Sequence, residues 1–299
     1  MTRFLLALLI YFLTGCLQDP REQAPRQVNW KPSVQVEIPD SSTPPLEFMV
    51  APWLSTQELV QIYSPLLKHL ASHLGQNVRL NVAPNYPTLL RLIEGGRIDI
   101  AQVNARSLQS LLKRPDTYRY IGTVKHLSPT GTPTYGSRGI LFANHLSPLD
   151  KGAATRLRLG LIDKRSTSGY LLPKLWLAKR GVDLTDFQDV LFLGSHTKAF
   201  TALIDNRVDI IASWNGQLIL EKDRLSEELV KIAETGDLPN DAWVTAGSRQ
   251  DELQAELRKW LGTLPPPEQP SNLYTKTSAF AGLKPLSMDS YRAIPQLEP

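Results

Sequence analysis

The 299-residue sequence predicts an α/β protein of two lobes with a ligand cleft between them, and three observations carry that expectation. Helix-period and strand-like apolar runs alternate along most of the chain, the pattern of an α/β fold. A ten-residue pattern occurs twice, starting at Leu92 and again at Leu203, which signals a repeated unit. Finally, Ser166-Thr167-Ser168-Gly169 stands between a strand-like run, 157–162, and a helical face of Leu171, Leu172, Leu175 and Trp176.

At the N-terminus, Arg3 precedes an apolar run over residues 4–13, too short to span a bilayer and suited to a secretory signal. It leads into Leu13-Thr14-Gly15-Cys16, which resembles a bacterial lipobox. Residues 1–16 are therefore expected to be a lipoprotein signal peptide, with Cys16, the sole cysteine, as the lipidated residue. A single thiol on an exported chain is better explained by thioether lipidation than by a disulfide. Leu17 stands where an aspartate commonly retains lipoproteins at the inner membrane, so either membrane of a two-membrane host is open, the outer one included. Residues 17–45 turn polar and proline-rich and are expected to be a disordered tether.

The alternation begins at residue 46: strand 48–50, helix 57–74, strand 78–82, helix 87–94, strand 98–103, helix 107–113, then strands near 120–124 and 139–144. A second lobe follows with strand 157–162, helix 169–180, strand 190–193, helix 198–206 and strand 208–213. Strand 243–246 and helix 249–261 return to the first lobe, and Pro265-Pro266-Pro267 precedes a docked tail. Lobe 1 is thus discontinuous, 46–136 and 245–299, around lobe 2 at 137–244.

Leu92-Ile93-Glu94-Gly95-Gly96-Arg97-Ile98-Asp99-Ile100-Ala101 is echoed by Leu203-Ile204-Asp205-Asn206-Arg207-Val208-Asp209-Ile210-Ile211-Ala212. In each copy a helix ends in Gly or Asn, an arginine follows, and a β-branched run forms a buried strand. Asn104 and Asn215 then come off the strand ends. Ligands in open α/β sheets collect beyond the carboxyl ends of strands, so equivalent ends in two lobes would share a cleft.

The stretch 166–169 reads as a helix start, where backbone N–H groups without intrahelical partners, the positive end of the helix dipole and three hydroxyls meet. Such a constellation receives an oxyanion. The plainer reading is a helix N-cap, worth about 1 kcal/mol. Gly169 is expected to let backbone approach the ligand. The net charge of +4 suits anionic partners, but no basic run is interleaved with aromatics, so nucleic acid is not expected.

These residues together resemble the phosphonate and phosphite substrate-binding proteins of ABC transporters, over roughly residues 46–294. Ser166-Thr167-Ser168-Gly169-Tyr170-Leu171-Leu172-Pro173 matches that family's Ser-Thr-Ser-Gly-aromatic-Leu-x-Pro signature. Ala83-Pro84-Asn85-Tyr86, Ile100-Ala101-Gln102-Val103-Asn104, Tyr135-Gly136-Ser137, Gly194-Ser195-His196 and Leu238-Pro239-Asn240-Asp241 resemble its other cleft segments, in the right order.

The resemblance implies a type II periplasmic binding protein fold, no cofactor and no metal. It also implies a ligand site of Tyr86, Asn104, Tyr135, Ser166, Thr167, Ser168, His196, Gln217 and Asp241. Chemically, Ser166, Thr167 and Ser168 would hold a tetrahedral oxyanion, and His196 would donate to it, more strongly when protonated. Tyr86 and Tyr135 would supply phenolic donors and ring walls, and Asn104 an amide across the cleft. Asp241 would accept the proton of a monoprotonated phosphoryl oxygen. Gln217 aligns where the family's aminoalkylphosphonate binders carry an acid, which favours phosphate, phosphite or a small alkylphosphonate over 2-aminoethylphosphonate. Asn85 replaces an aspartate of the family pattern, and Trp214 is bulky where small polar residues are common.

Two other constellations are set aside. His69 and His73 share a helix face without a third metal ligand or a His-Glu-x-x-His pattern. A hydrolase built on Ser168, His196 and Asp241 lacks the Gly-x-Ser-x-Gly elbow. The expectation is a lipid-anchored, exported solute-binding protein that captures a small phosphorus oxyanion for an ABC permease. The alternatives are a ligand-sensing subunit of a membrane signalling system and, less favoured, a phosphoester hydrolase.

Overall fold

Two β-sheets carry the chain. A computed structural model describes residues 34–36, 43–127, 133–144, 149–221, 229–264 and 280–296. The expected signal peptide, Cys16 and most of the tether lie outside the described residues, which fall within one compact unit, Lys31–Pro299.

The first half forms β1 (Val34–Val36), β2 (Leu46–Val50), α1 (Thr56–Leu74), β3 (Val78–Val82), α2 (Tyr86–Glu94), β4 (Ile100–Val103), α3 (Ala105–Leu111) and β5 (Tyr118–Val124). A small ribbon, β6 (His126–Leu127) with β7 (Pro133–Thr134), leads to β8 (Gly136–Ala143), α4 (Lys151–Ala154) and β9 (Arg158–Leu161). Then come α5 (Leu172–Ala178), β10 (Asp189–Phe192), α6 (His196–Ile204), β11 (Ile210–Trp214), α7 (Gln217–Leu220) and β12 (Val230–Pro239). The chain returns through β13 (Ala242–Ala246), α8 (Gln250–Leu261), β14 (Leu283–Lys284) and α9 (Asp289–Arg292).

The larger sheet runs β1-β3-β2-β4-β13-β5-β14, parallel at β3-β2-β4 and antiparallel elsewhere; the smaller runs β10-β9-β11-β8-β12, parallel only at β10-β9-β11. The first sheet's core is aromatic: Trp243 stacks on Trp260 at 5.9 Å and meets Phe48 edge-on at 4.7 Å. Burial of α1 through Leu59, Ile62, Tyr63, Leu66, Leu67 and Leu70 follows its helical period, and a Ser55–Glu58 capping box starts it.

The repeated ten residues have one structural job. The Asp99 carboxylate accepts from Glu47 N–H at 2.8 Å while Asp99 N–H donates to Glu47 O at 3.1 Å. In the other copy Asp209 accepts from Arg158 N–H at 2.8 Å and donates back to Arg158 O at 2.9 Å. Each aspartate therefore clips the head of a neighbouring parallel strand. The αL position that ends each helix falls on Gly96, φ 61°, and on Asn206, φ 54°, a residue type that tolerates it.

Three expectations need correction. Within the tether, Val34–Val36 instead adds an edge strand antiparallel to β3, because alternating valines pair with an open edge despite the flanking prolines. The ten-residue β12 was not foreseen: its charged, glycine-interrupted sequence makes a half-exposed edge with bulges against β8.

The expected helix 169–180 is split. Leu171 and Leu172 N–H groups reach the carbonyls of Ser166 and Thr167, five residues back, so Thr167–Leu171 is a π turn that precedes α5. Gly169 serves packing there, since a Cβ would lie 2.2 Å from Ile162 Cγ1 and 2.9 Å from Ser166 Oγ. Gly169→Ala is expected to destabilise the fold by about 1–3 kcal/mol in urea unfolding, the usual cost of overpacking. An unchanged midpoint would contradict this assignment.

Candidate functional site

A cavity opens where the carboxyl ends of both parallel strand sets converge, with about 490 Å³ of empty space, open solvent at its mouth included. From the first sheet, Trp53 follows β2, Tyr86 follows β3 and Asn104 follows β4. In the second, Ser166, Thr167 and Ser168 follow β9, His196 follows β10, and Trp214 ends β11. The segments that link the two sheets add His126, Ser137, Leu238, Asn240 and Asp241. Among the described residues this lining contains no lysine or arginine, and Asp241 is its one carboxylate.

The N-cap foreseen for the hydroxyl run is present. Ser166 Oγ accepts from Gly169 N–H at 3.0 Å, an N-cap, and Thr167 Oγ1 accepts from Arg106 N–H at 3.2 Å. Each oxygen is thus polarised as an acceptor, and the Tyr86 phenol lies beside Ser166. All three residues are buried. Neutral donors on a helical turn are a physical means of holding an anion without a cation.

His196 is the first residue of α6 and is buried, with Nδ1 2.9 Å from Ser213 Oγ. Burial pulls its pKa down to about 3, so the imidazole is neutral at physiological pH. The stronger, protonated form of this donor is therefore not formed at that pH.

Asp241 is half-buried, and its Oδ2 accepts from Gln102 Nε2 at 3.1 Å. Gln102 is itself oriented by Trp243, whose indole N–H donates to Gln102 Oε1 at 2.9 Å. Desolvation pushes the Asp241 carboxyl up to about 6, against the Gln102 bond. Burial first, and then the Asp241 and Asp163 charges, keep the Tyr86 phenol firmly protonated. The Trp53 indole N–H has no acceptor in hydrogen-bonding geometry, although the Tyr63 hydroxyl lies beside it.

Direct hydrogen bonds join the two sides. Asn104 Nδ2 donates to Arg165 O at 3.0 Å while its Oδ1 caps α3 by accepting from Ser107 N–H at 2.8 Å. The Arg106 guanidinium donates to Lys164 O. Further along, His196 N–H donates to Trp53 O at 2.9 Å, and the Thr197 hydroxyl donates to Glu58 Oε2 at 2.6 Å.

Seven of the nine expected site residues line the cavity, and two stand elsewhere. The Tyr135 ring lies under the ammonium groups of Lys125 and Lys284, at 5.8 and 5.7 Å. Gln217 is fully buried behind the wall, where its Oε1 accepts from Trp214 Nε1 at 3.2 Å and its Nε2 donates to Glu221 Oε1 at 3.0 Å. Trp53 and His126 went unread because a lone aromatic outside any motif looks like core. His69 Nδ1 accepts from Trp260 Nε1 at 2.9 Å, and no metal-holding cluster occurs among the described residues.

The sequence profile of the family described as "ABC transporter, phosphonate, periplasmic substrate-binding protein" matches residues 48–291. The phosphonates-binding periplasmic protein of Escherichia coli K12 is 26% identical over 193 residues, covering 62% of this chain and 55% of that protein, so the chain spans about half the length of this relative. A binding protein component of an ABC phosphonate transporter from Pseudomonas aeruginosa superposes with a TM-score of 0.69 at 23% identity, covering 83% of each chain. A Prochlorococcus marinus protein solved with methylphosphonate gives a TM-score of 0.69 at 18% identity, over 83% of this chain and 95% of that one. The fold is that of a type II periplasmic binding protein.

Proposed function

Because the chain belongs to the family of periplasmic phosphonate-binding substrate-binding proteins of ABC transporters, we propose that it captures a small phosphorus oxyanion between its lobes and delivers it to an ABC permease. The ligand class is a phosphonate, phosphite or phosphate. The observation that carries this reading is the buried hydroxyl run 166–168, in which Ser166 and Thr167 each accept a backbone N–H group. Neutral His196 and the tyrosine Tyr86 add donors, and Asp241 accepts a ligand proton. At neutral pH the ionised Asp241 then repels a proton-free anion such as sulfate.

Ligand enters while the lobes are apart, and hinge closure brings Asn104 and Arg106 onto 164–167 and Trp53 onto His196. The site binds without catalysis: His196 Nδ1 is engaged with Ser213 and Asp241 with Gln102, so these groups do not form a relay to Ser168. The protein works outside the cytoplasm, anchored by a lipid on Cys16.

A thermal-melt panel at pH 7.5 tests this. A ligand at ~100 times its dissociation constant adds about 2.7 kcal/mol, a shift of several degrees. Shifts are expected with phosphate, phosphite or methylphosphonate, smaller in Ser168→Ala, and absent with sulfate. No shift with any phosphorus oxyanion would overturn the reading.

A further inference from the structure

We propose that Glu58 is a positioning residue that holds the two sheets together by way of Thr197, and that this latch sets ligand affinity without touching the ligand. For affinity the inference rests on the oxyanion reading and deepens it, while the latch itself is readable in the ligand-free chain.

The two residues belong to helices of different sheets. Glu58 stands in the first turn of α1, which packs through Leu59, Tyr63 and Leu66 into the core of the larger sheet. Thr197 is the second residue of α6, which packs through Ala199, Phe200 and Leu203 against strands of the smaller one. Between the helices, Thr197 Oγ1 donates to Glu58 Oε2 at 2.6 Å and accepts from Ser55 N–H at 3.2 Å. None of Ser55, Glu58 and Thr197 lines the cavity. Their chain neighbours Trp53 and His196 do, so the latch holds these two lining residues in register.

Neither helix needs this bond. The capping box of α1 is complete in itself: the Glu58 carboxylate accepts from Ser55 N–H at 2.9 Å and from the Ser55 hydroxyl, and Ser55 Oγ accepts from Glu58 N–H at 3.3 Å. Helix α6 has its own cap in Ser195, whose Oγ accepts from Lys198 N–H at 3.2 Å. The Thr197 hydroxyl thus spends its proton on a partner 139 positions away.

A hydroxyl given to a carboxylate makes a charge-assisted bond, stronger than a neutral one. With the sheets apart both groups return to water, so the net gain is modest and the cleft can still open. Such a bond raises the fraction of chains that are closed. Apparent affinity scales with that fraction, so every ligand held between the sheets gains by one factor. A contact made to the ligand would instead favour one ligand over another.

Amide exchange followed by NMR in the ligand-free full chain reads the latch first. In Thr197→Val two N–H groups that cross between the sheets, His196 to Trp53 O and Arg106 to Thr167 Oγ1, should exchange severalfold faster. The Ala199 N–H, bonded within α6 to Ser195 O at 3.0 Å, should not change. Isothermal titration at pH 7.5 should then show phosphate and methylphosphonate weakened alike, by about tenfold. Thr197→Ser, which keeps the hydroxyl, should behave as wild type, and Glu58→Gln should weaken neither ligand further in the Thr197→Val chain. Unchanged exchange at Arg106 overturns the latch, and so does weakening of only one of the two ligands. Faster exchange at Ala199 overturns it too, since the helix and not the crossing has then loosened. If neither anion binds the wild-type chain, the oxyanion reading fails and the exchange comparison still decides the latch.

Discussion

Asp241→Asn is expected to stabilise the unliganded fold at pH 7.5 by up to about 3 kcal/mol, and His196→Asn to protect it in acid, so the two variants should bend the pH–stability curve in opposite directions. Asp241 has a folded pKa of about 6 against 3.8 ordinarily. The folded state keeps a proton that the unfolded chain has released, so stability from this group is greatest below 3.8 and declines as pH rises through about 6. His196 has a folded pKa of about 3 against 6.5. Here the unfolded chain gains a proton the folded state refuses, so stability is complete above 6.5 and declines towards pH 3, by as much as about 5 kcal/mol.

Between roughly pH 4 and 6 the two slopes oppose each other and largely cancel in the wild-type chain. Asp241→Asn uncovers the histidine, and its melting temperature should fall on acidification from pH 6.5 to 4.5. His196→Asn, which keeps a polar partner for Ser213, should show a rise over the same range. Parallel curves for both variants and wild type would contradict the buried-group assignment.

Asn240→Leu is expected to cost about 4 kcal/mol, since it strands several buried groups at once, each worth about 1–3 kcal/mol. Asn240 is 2% exposed and ties together the segments that cross between the sheets. Its Nδ2 donates to Val124 O at 3.0 Å and Thr134 O at 2.9 Å, and the Ser137 hydroxyl donates to its Oδ1. The backbone joins in: Asn240 N–H donates to Tyr135 O at 2.9 Å, and Tyr291 from the tail donates to Asn240 O at 2.9 Å. Leucine keeps the volume and removes the bonds, so urea unfolding reads the hydrogen-bond loss directly. A loss under about 1 kcal/mol would mean that water replaces these partners and the crossing is not pinned by Asn240.

What the sequence made legible was whatever depends on local pattern. The parallel strands β2, β3, β4, β9, β10 and β11 are apolar runs with helices between them, and the residues just beyond their ends line the cavity. Helix starts at Ser55, Asn85 and Ser195 carry capping residues visible in the chain. Features that depend on distant partners stayed hidden. The strand character of β12 comes from pairing with β8, not from its own charged sequence. Tyr135 sits two residues from Ser137 in the lining, yet its ring turns to Lys125 and Lys284. Gln217 was read as a ligand contact, but the Trp214 ring stands before it and takes its oxygen. The charge states of His196 and Asp241 follow from burial, which residue identity does not reveal.

The most direct test of the account is isothermal titration of methylphosphonate into the wild-type chain and Ser168→Ala at low and high salt. The account predicts saturable binding that weakens at least tenfold in the variant. It also predicts little dependence on salt, because buried neutral donors hold the anion and surface charge does not. Absence of binding, binding indifferent to Ser168, or an affinity that collapses with salt would contradict it.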